Sequence, residues 1–224
     1  MADELPRRGP GRPRTRDRIK ELRLQDPITS LPPTARRLLD AARVILVRDG
    51  FLALTLSAVA AEADESKASI AYHFGNKEGL LVAVLDSLVH EANRGLITDT
   101  HLYPMGEQRL RVLMEGERKI IEDTPSFVAL VEILPYAMRE DSLRRRIAEL
   151  YSGYRDTVLR VLDAQEDPAR APLAAFATLT IAVVDGLSLQ HSLDPEHVDI
   201  EAATMLWLKM ARCLLSDLGL VDMG

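Results

Sequence analysis

Cysteine is almost missing from this chain of 224 residues. The single copy, Cys213, excludes an intramolecular disulfide framework and a cysteine-based metal site, and a reducing cytoplasm is the natural compartment. Aromatic residues make up only 4%, and few β-branched or aromatic runs lie between turn signals, which disfavours sheet. Apolar runs are interrupted by polar residues before membrane-spanning length, so no transmembrane helix and no membrane partner are expected. The N-terminal stretch is basic and proline-rich and holds no hydrophobic segment of the kind a secretion signal needs. Enzyme signatures are lacking too: no glycine-rich phosphate loop, no HExxH, no nucleophile elbow, no carboxylate cluster with histidine. His90 and His191 have no companions at metal-ligand spacing. The expectation is a non-enzyme with no catalytic residues, no metal site and no cofactor.

What the chain has is apolar residues, 47% of the total and dominated by Leu, Ala and Val, enough for a sizeable helical core. The net charge of −6 looks wrong for a nucleic-acid binder, but its distribution does not. Residues 1–33 carry eight Lys/Arg against five acids, residues 34–85 six of each, and the remainder 14 against 23. Within residues 7–20, Arg7, Arg8, Arg12, Arg14, Arg16, Arg18 and Lys20 face only Asp17. Positive charge concentrated at one end is the footprint of a nucleic-acid contact.

Residues 1–33, proline-rich and without apolar periodicity, read as a basic arm that is disordered in isolation. From Thr34 the apolar spacing turns helical. Gly50 stops a first helix, Thr55 caps a second, Ser66 caps a third that ends at Gly75, and Asn76 caps a fourth. Further helices are expected over 106–122, 126–138 with a kink or end near Pro135, 141–165, 169–190 and 198–218. The chain divides into the arm at 1–33, a DNA-binding domain at 34–80 and an effector-binding and dimerisation domain at 81–224. The fold class is all-α.

Within the second domain, three short helices with a tight turn before the third form a helix-turn-helix pattern. The third helix reads Ser66-Lys67-Ala68-Ser69-Ile70-Ala71-Tyr72-His73-Phe74. Ile70 and Phe74, four apart, point into the core. Lys67, Ala68, Ser69, Tyr72 and His73 are left facing outward, a mix of cation, hydroxyls, imidazole and small residues suited to a major groove.

These residues, together with Thr55-Leu56, Val59-Ala60, Ala63 and the Asn76-Lys77-Glu78-Gly79-Leu80-Leu81 restart, resemble the TetR family of bacterial transcriptional repressors, strongly over residues 34–85. The resemblance implies that Thr55, Lys67, Tyr72 and Lys77 contact phosphates and that Ser66, Ala68, Ser69 and His73 approach base edges or nearby backbone. Two departures stand out. The turn carries Asp64-Glu65 where members often have Gly and an apolar residue. Asp tolerates a left-handed backbone, but Glu65 adds negative charge near DNA. Ala71 stands where many members have an aromatic.

Gly11-Arg12-Pro13, followed by Arg14, resembles the core of an AT-hook, whose extended backbone lies in narrow A·T-rich minor grooves. It would supply positive charge that the neutral helix-turn-helix segment lacks. The last two long helices are apolar on more than one side, and in TetR-like proteins this pair forms the homodimer interface. The resemblance also implies a pocket for a small-molecule effector in the middle helices. Met114, Phe127, Leu130, Ile133, Tyr136, Met138, Tyr151, Tyr154 and Phe176 are candidate walls, and Glu132 is a candidate partner for a ligand's cation or hydroxyl. The reading is a homodimeric, ligand-responsive regulator of double-stranded DNA with a palindromic operator. The alternative is an architectural binder of A·T-rich DNA without an effector.

Overall fold

A computed structural model describes residues 31–104, 106–163 and 170–220. Arg12 and Arg14 of the AT-hook-like arm lie outside the described residues. All regular elements among the described residues are helical: α1 (Pro33–Asp49), a 3-10 turn (Phe51–Ala53), α2 (Leu56–Glu62), α3 (Lys67–Phe74), α4 (Lys77–Thr100), α5 (Glu107–Glu122), α6 (Thr124–Ala137), α7 (Asp141–Val161), α8 (Arg170–Leu193) and α9 (Ile200–Asp217).

The first four helices are punctuated by side chains that satisfy orphan backbone groups. Pro33 opens α1, where its missing N–H has no partner to lose. Gly50 closes α1 at φ 80°, and its N–H reaches the Leu46 carbonyl. The hydroxyl of Thr55 accepts from the Ala58 N–H at 3.1 Å and starts α2. Asp64 takes the left-handed conformation at φ 51°, which lets the turn form without the glycine common in the family. Ser66 accepts from the Ser69 N–H at 3.0 Å and starts α3. Asn76 accepts from the Gly79 N–H at 2.9 Å and starts α4. There a Cβ on Gly79 would stand 2.0 Å from the Phe74 carbonyl oxygen, so the joint between α3 and α4 admits only glycine.

Two apolar cores result. The first joins Leu38, Ile45, Val59, Ile70 and Leu85 to Ala129, Ile133 and Ala137 of α6 and Leu143 and Ile147 of α7. The second gathers Leu96, Leu110, Leu113, Ile121, Val158, Leu173, Phe176 and Trp207. Helix α4 runs from one to the other, so residue 80 falls in its first turn.

Helix α6 matches the expected range and carries Pro135 inside its last turn, where the proline leaves one backbone hydrogen bond unmade. Two other expectations about elements need correction. Helix α7 ends at Val161, short of residue 165. Helix α8 is, by length and composition, apolar enough over Ala171–Leu193 to cross a membrane, contrary to the expectation that polar residues break every such run. One side of it fills the second core through Leu173, Phe176 and Ala177. The other exposes Leu179, Leu189 and Leu193, as α9 exposes Met205, Leu206 and Met210. Two apolar sides on one helix account for its high mean hydropathy.

Candidate DNA-reading face and effector cavity

Helix α3 is built to be read from outside. Ile70 is fully buried and Phe74 half-buried, which anchors the helix on the first core. Lys67 and Ala68 are exposed, and Tyr72 is 85% exposed, an unusual position for an aromatic ring. His73 is half-buried with its ring edge-on to Tyr72 at 4.9 Å. Ser66 and Ser69 hold each other at 3.0 Å, and Ser69 also reaches Glu65 at 3.4 Å, so both hydroxyls have intramolecular work besides any contact with DNA. Glu65 forms an ion pair with Arg37 of α1, whose hydrogen bond holds the Glu65 carboxyl below the usual range. The negative charge expected to face DNA at this turn is therefore paired inside the domain. Thr55 is exposed at the start of α2.

Lys77 is more confined than a solvated helix-start residue. Its ammonium sits 4.4 Å from the centre of the Phe51 ring, and burial pushes its pKa down. The Phe51 ring in turn stacks on Tyr136 of α6, with centroids 3.5 Å apart. The Phe51 N–H donates to Glu132 Oε2 at 2.8 Å, and the same oxygen leaves no slack at Gly50, where a Cβ would be 3.1 Å away. Glu132 and Tyr136, expected in an effector pocket, instead join α6 to the turn after α1, and neither is among the residues lining the cavity described next. Arg43 of α1 makes a second link, donating to the Ser126 hydroxyl at 3.3 Å. The Arg146–Asp86 ion pair at 2.7 Å ties α7 to α4.

A cavity of about 290 Å³ opens between α4, α5, α6, α7 and α8. Phe127 and Tyr151 line it, with Leu88, Leu96, Ile120, Leu130, Leu150, Tyr154, Ile181 and Val184. Met114 and Phe176 do not; both are buried in the second core, and Met114 faces a groove shared with α9. On spacing alone core and wall are indistinguishable, because both require apolar side chains at helical intervals.

The acids at and behind the cavity wall, Asp185 and Glu117, were missed in the sequence, whereas Tyr151 and Tyr154 were not. Asp185, on the otherwise apolar α8, lines it and accepts from the Tyr151 hydroxyl at 2.8 Å. Burial raises the Asp185 pKa, and the Tyr151 hydrogen bond opposes that only in part. The Tyr154 hydroxyl donates to Glu117, which is fully buried. Desolvation pushes the Glu117 carboxyl up to about 8, and its Oε1 has no hydrogen-bond partner. Both phenols are pushed up by burial and by the adjacent carboxylates. A lone acid inside an apolar helix, as at position 185, is the signal that would have found the site.

A sealed helix-turn-helix with an exposed third helix, docked on a helical domain that holds a ligand-sized cavity, defines a DNA-binding transcriptional regulator. Residues 38–84 match the model for bacterial regulatory proteins of the tetR family, and residues 118–216 match the BetI-type transcriptional repressor C-terminal model. The chain belongs to the TetR family. It is 28% identical over 185 residues to the HTH-type transcriptional regulator BetI of Rhizobium meliloti, covering 80% of this chain and 89% of that one. It is 27% identical over 169 residues to the HTH-type nicotine-responsive transcriptional repressor HdnoR of Paenarthrobacter nicotinovorans, covering 71% and 84%. The fold matches a putative transcriptional regulator from Pseudomonas aeruginosa PAO1 with a TM-score of 0.68 at 20% identity, covering 87% and 95%.

Proposed function

We propose that this regulator binds a palindromic operator as a homodimer and leaves it when a small molecule fills the cavity between α4 and α8. The observation that carries the DNA half is the asymmetry of α3, with Ile70 sealed and Lys67 and Tyr72 offered to solvent. Thr55, Ser66, Ala68, Ser69, His73 and Lys77 flank them as the remaining contacts. The exposed apolar faces of α8 and α9 supply the surface that a second copy covers, which sets two α3 helices on successive turns of one duplex. The cavity, and a nicotine-responsive repressor among the relatives, support the effector half. Effector binding then shifts the population toward a DNA-incompetent arrangement.

The test begins with duplexes enriched by the protein from a random pool. A discrete two-fold site is expected, protected in a footprint. Lys67→Ala and Tyr72→Ala are expected to weaken binding at least tenfold, with the melting temperature nearly unchanged because neither side chain is packed. Scattered protection of A·T-rich tracts, insensitive to both substitutions, would refute the reading.

A further inference from the structure

We propose that the cavity takes an organic cation, a protonated amine on an apolar body, with Asp185 as its counter-ion. The proposal rests on the reading of this cavity as the effector site.

The argument is one of charge balance in a desolvated place. Asp185 faces the cavity, and the only group it bonds among the described residues is the Tyr151 hydroxyl, on Oδ2. No lysine or arginine whose side chain is described pairs with it. One layer deeper, Glu117 meets the Tyr154 hydroxyl with one oxygen and nothing with the other. The inner cavity wall therefore carries one carboxyl, Asp185, with a second, Glu117, buried behind it, and burial raises the pKa of both. At the mouth, exposed Lys119 is outnumbered by Asp99 and Asp123. An anion entering this space meets like charge, and a neutral molecule leaves the Asp185 carboxylate without a counter-charge. A cation supplies what is missing, and an N–H on it donates to Asp185 in a charge-assisted hydrogen bond.

The rest of the wall fits the rest of such a ligand. The rings of Phe127, Tyr151 and Tyr154 give faces that attract cations and cover apolar groups. Against a volume of about 30 Å³ per water, a cavity of about 290 Å³ accommodates a body with the bulk of several waters, such as a single substituted ring.

Three probes of matched shape separate the possibilities: 2-phenylethylamine (cation), 2-phenylethanol (neutral) and 3-phenylpropanoate (anion). Calorimetric titration of the full chain at neutral pH is expected to give the amine at least a tenfold tighter Kd than the alcohol, with the anion weakest. In Asp185→Asn, whose amide oxygen still accepts from Tyr151, the amine's advantage is expected to shrink to about threefold or less. An alcohol or anion that binds as tightly as the amine overturns the cation assignment while leaving the cavity as an effector site. An advantage unchanged in Asp185→Asn overturns the role of that residue. No binding of any probe at millimolar concentration, in protein that still binds its selected duplex, overturns the effector reading and this proposal with it. Should Asp185→Asn fail to fold, the ranking of the three probes on the natural chain still decides.

Discussion

Glu117 shows how one residue writes itself into the pH dependence of the whole chain. Its folded pKa of about 8 lies above the ordinary 4.5, so between those values the folded state keeps a proton that the unfolded state has released. Stability is then full below about pH 4.5, falls as pH rises toward about 8, and is flat beyond. Asp185 adds a slope of the same sign, since its pKa is also raised. Glu117→Gln resembles the protonated acid and is expected to remove most of that loss, a difference on the order of a few kcal/mol across the window. Melting curves of both proteins between pH 5 and 8.5 check it; parallel curves would show that the Glu117 carboxyl is not buried in solution. Nothing in the sequence marks Glu117 as special, because burial of an acid depends on what three other helices place around it. Asp64 is the opposite case, since its role follows from its own backbone conformation and is readable where it stands.

At the scale of the element, α6 deserves the closest look because it touches both halves of the function. Phe127 and Leu130 line the cavity, while Glu132 and Tyr136 hold Phe51 and, through it, Lys77. By the 3.6-residue repeat these two pairs lie on opposite sides of the helix. Helix boundaries were legible because proline, glycine and capping side chains mark them. Facing was not: the run from Phe127 to Leu134 is apolar nearly all round, and only the tertiary structure says which side is cavity and which is domain contact. Glu132→Ala is expected to weaken binding of the selected duplex about tenfold and to blunt release by a cavity ligand. Glu132→Gln keeps an oxygen for the Phe51 N–H and should stay near the natural affinity. Fluorescence anisotropy with a labelled duplex reads both; equal behaviour of the two variants would show that the link does not transmit.

For the molecule as a whole, the proposed dimer rests on the uncovered apolar residues of α8 and α9. Leu206→Glu combined with Met210→Glu places charge on that face without entering either core. Sedimentation should then show a monomer, and DNA affinity should drop by more than an order of magnitude because two half-sites can no longer be held together. The basic segment makes a separate contribution. Deleting residues 1–20 removes seven Lys/Arg and is expected to weaken binding and flatten its dependence on salt. An unchanged slope of log Kd against log salt would show that the segment stays off the duplex.

The first core, completed by Ala129, Ile133, Ala137, Leu143 and Ile147, has a practical corollary for protein engineering. A reading head excised at residue 80 would arrive with one wall of its interior torn away, and such a fragment should be molten rather than a miniature DNA binder. Chimeras that exchange heads between relatives should succeed only when the recipient's α6 and α7 offer the same floor, so these two helices decide which grafts are viable.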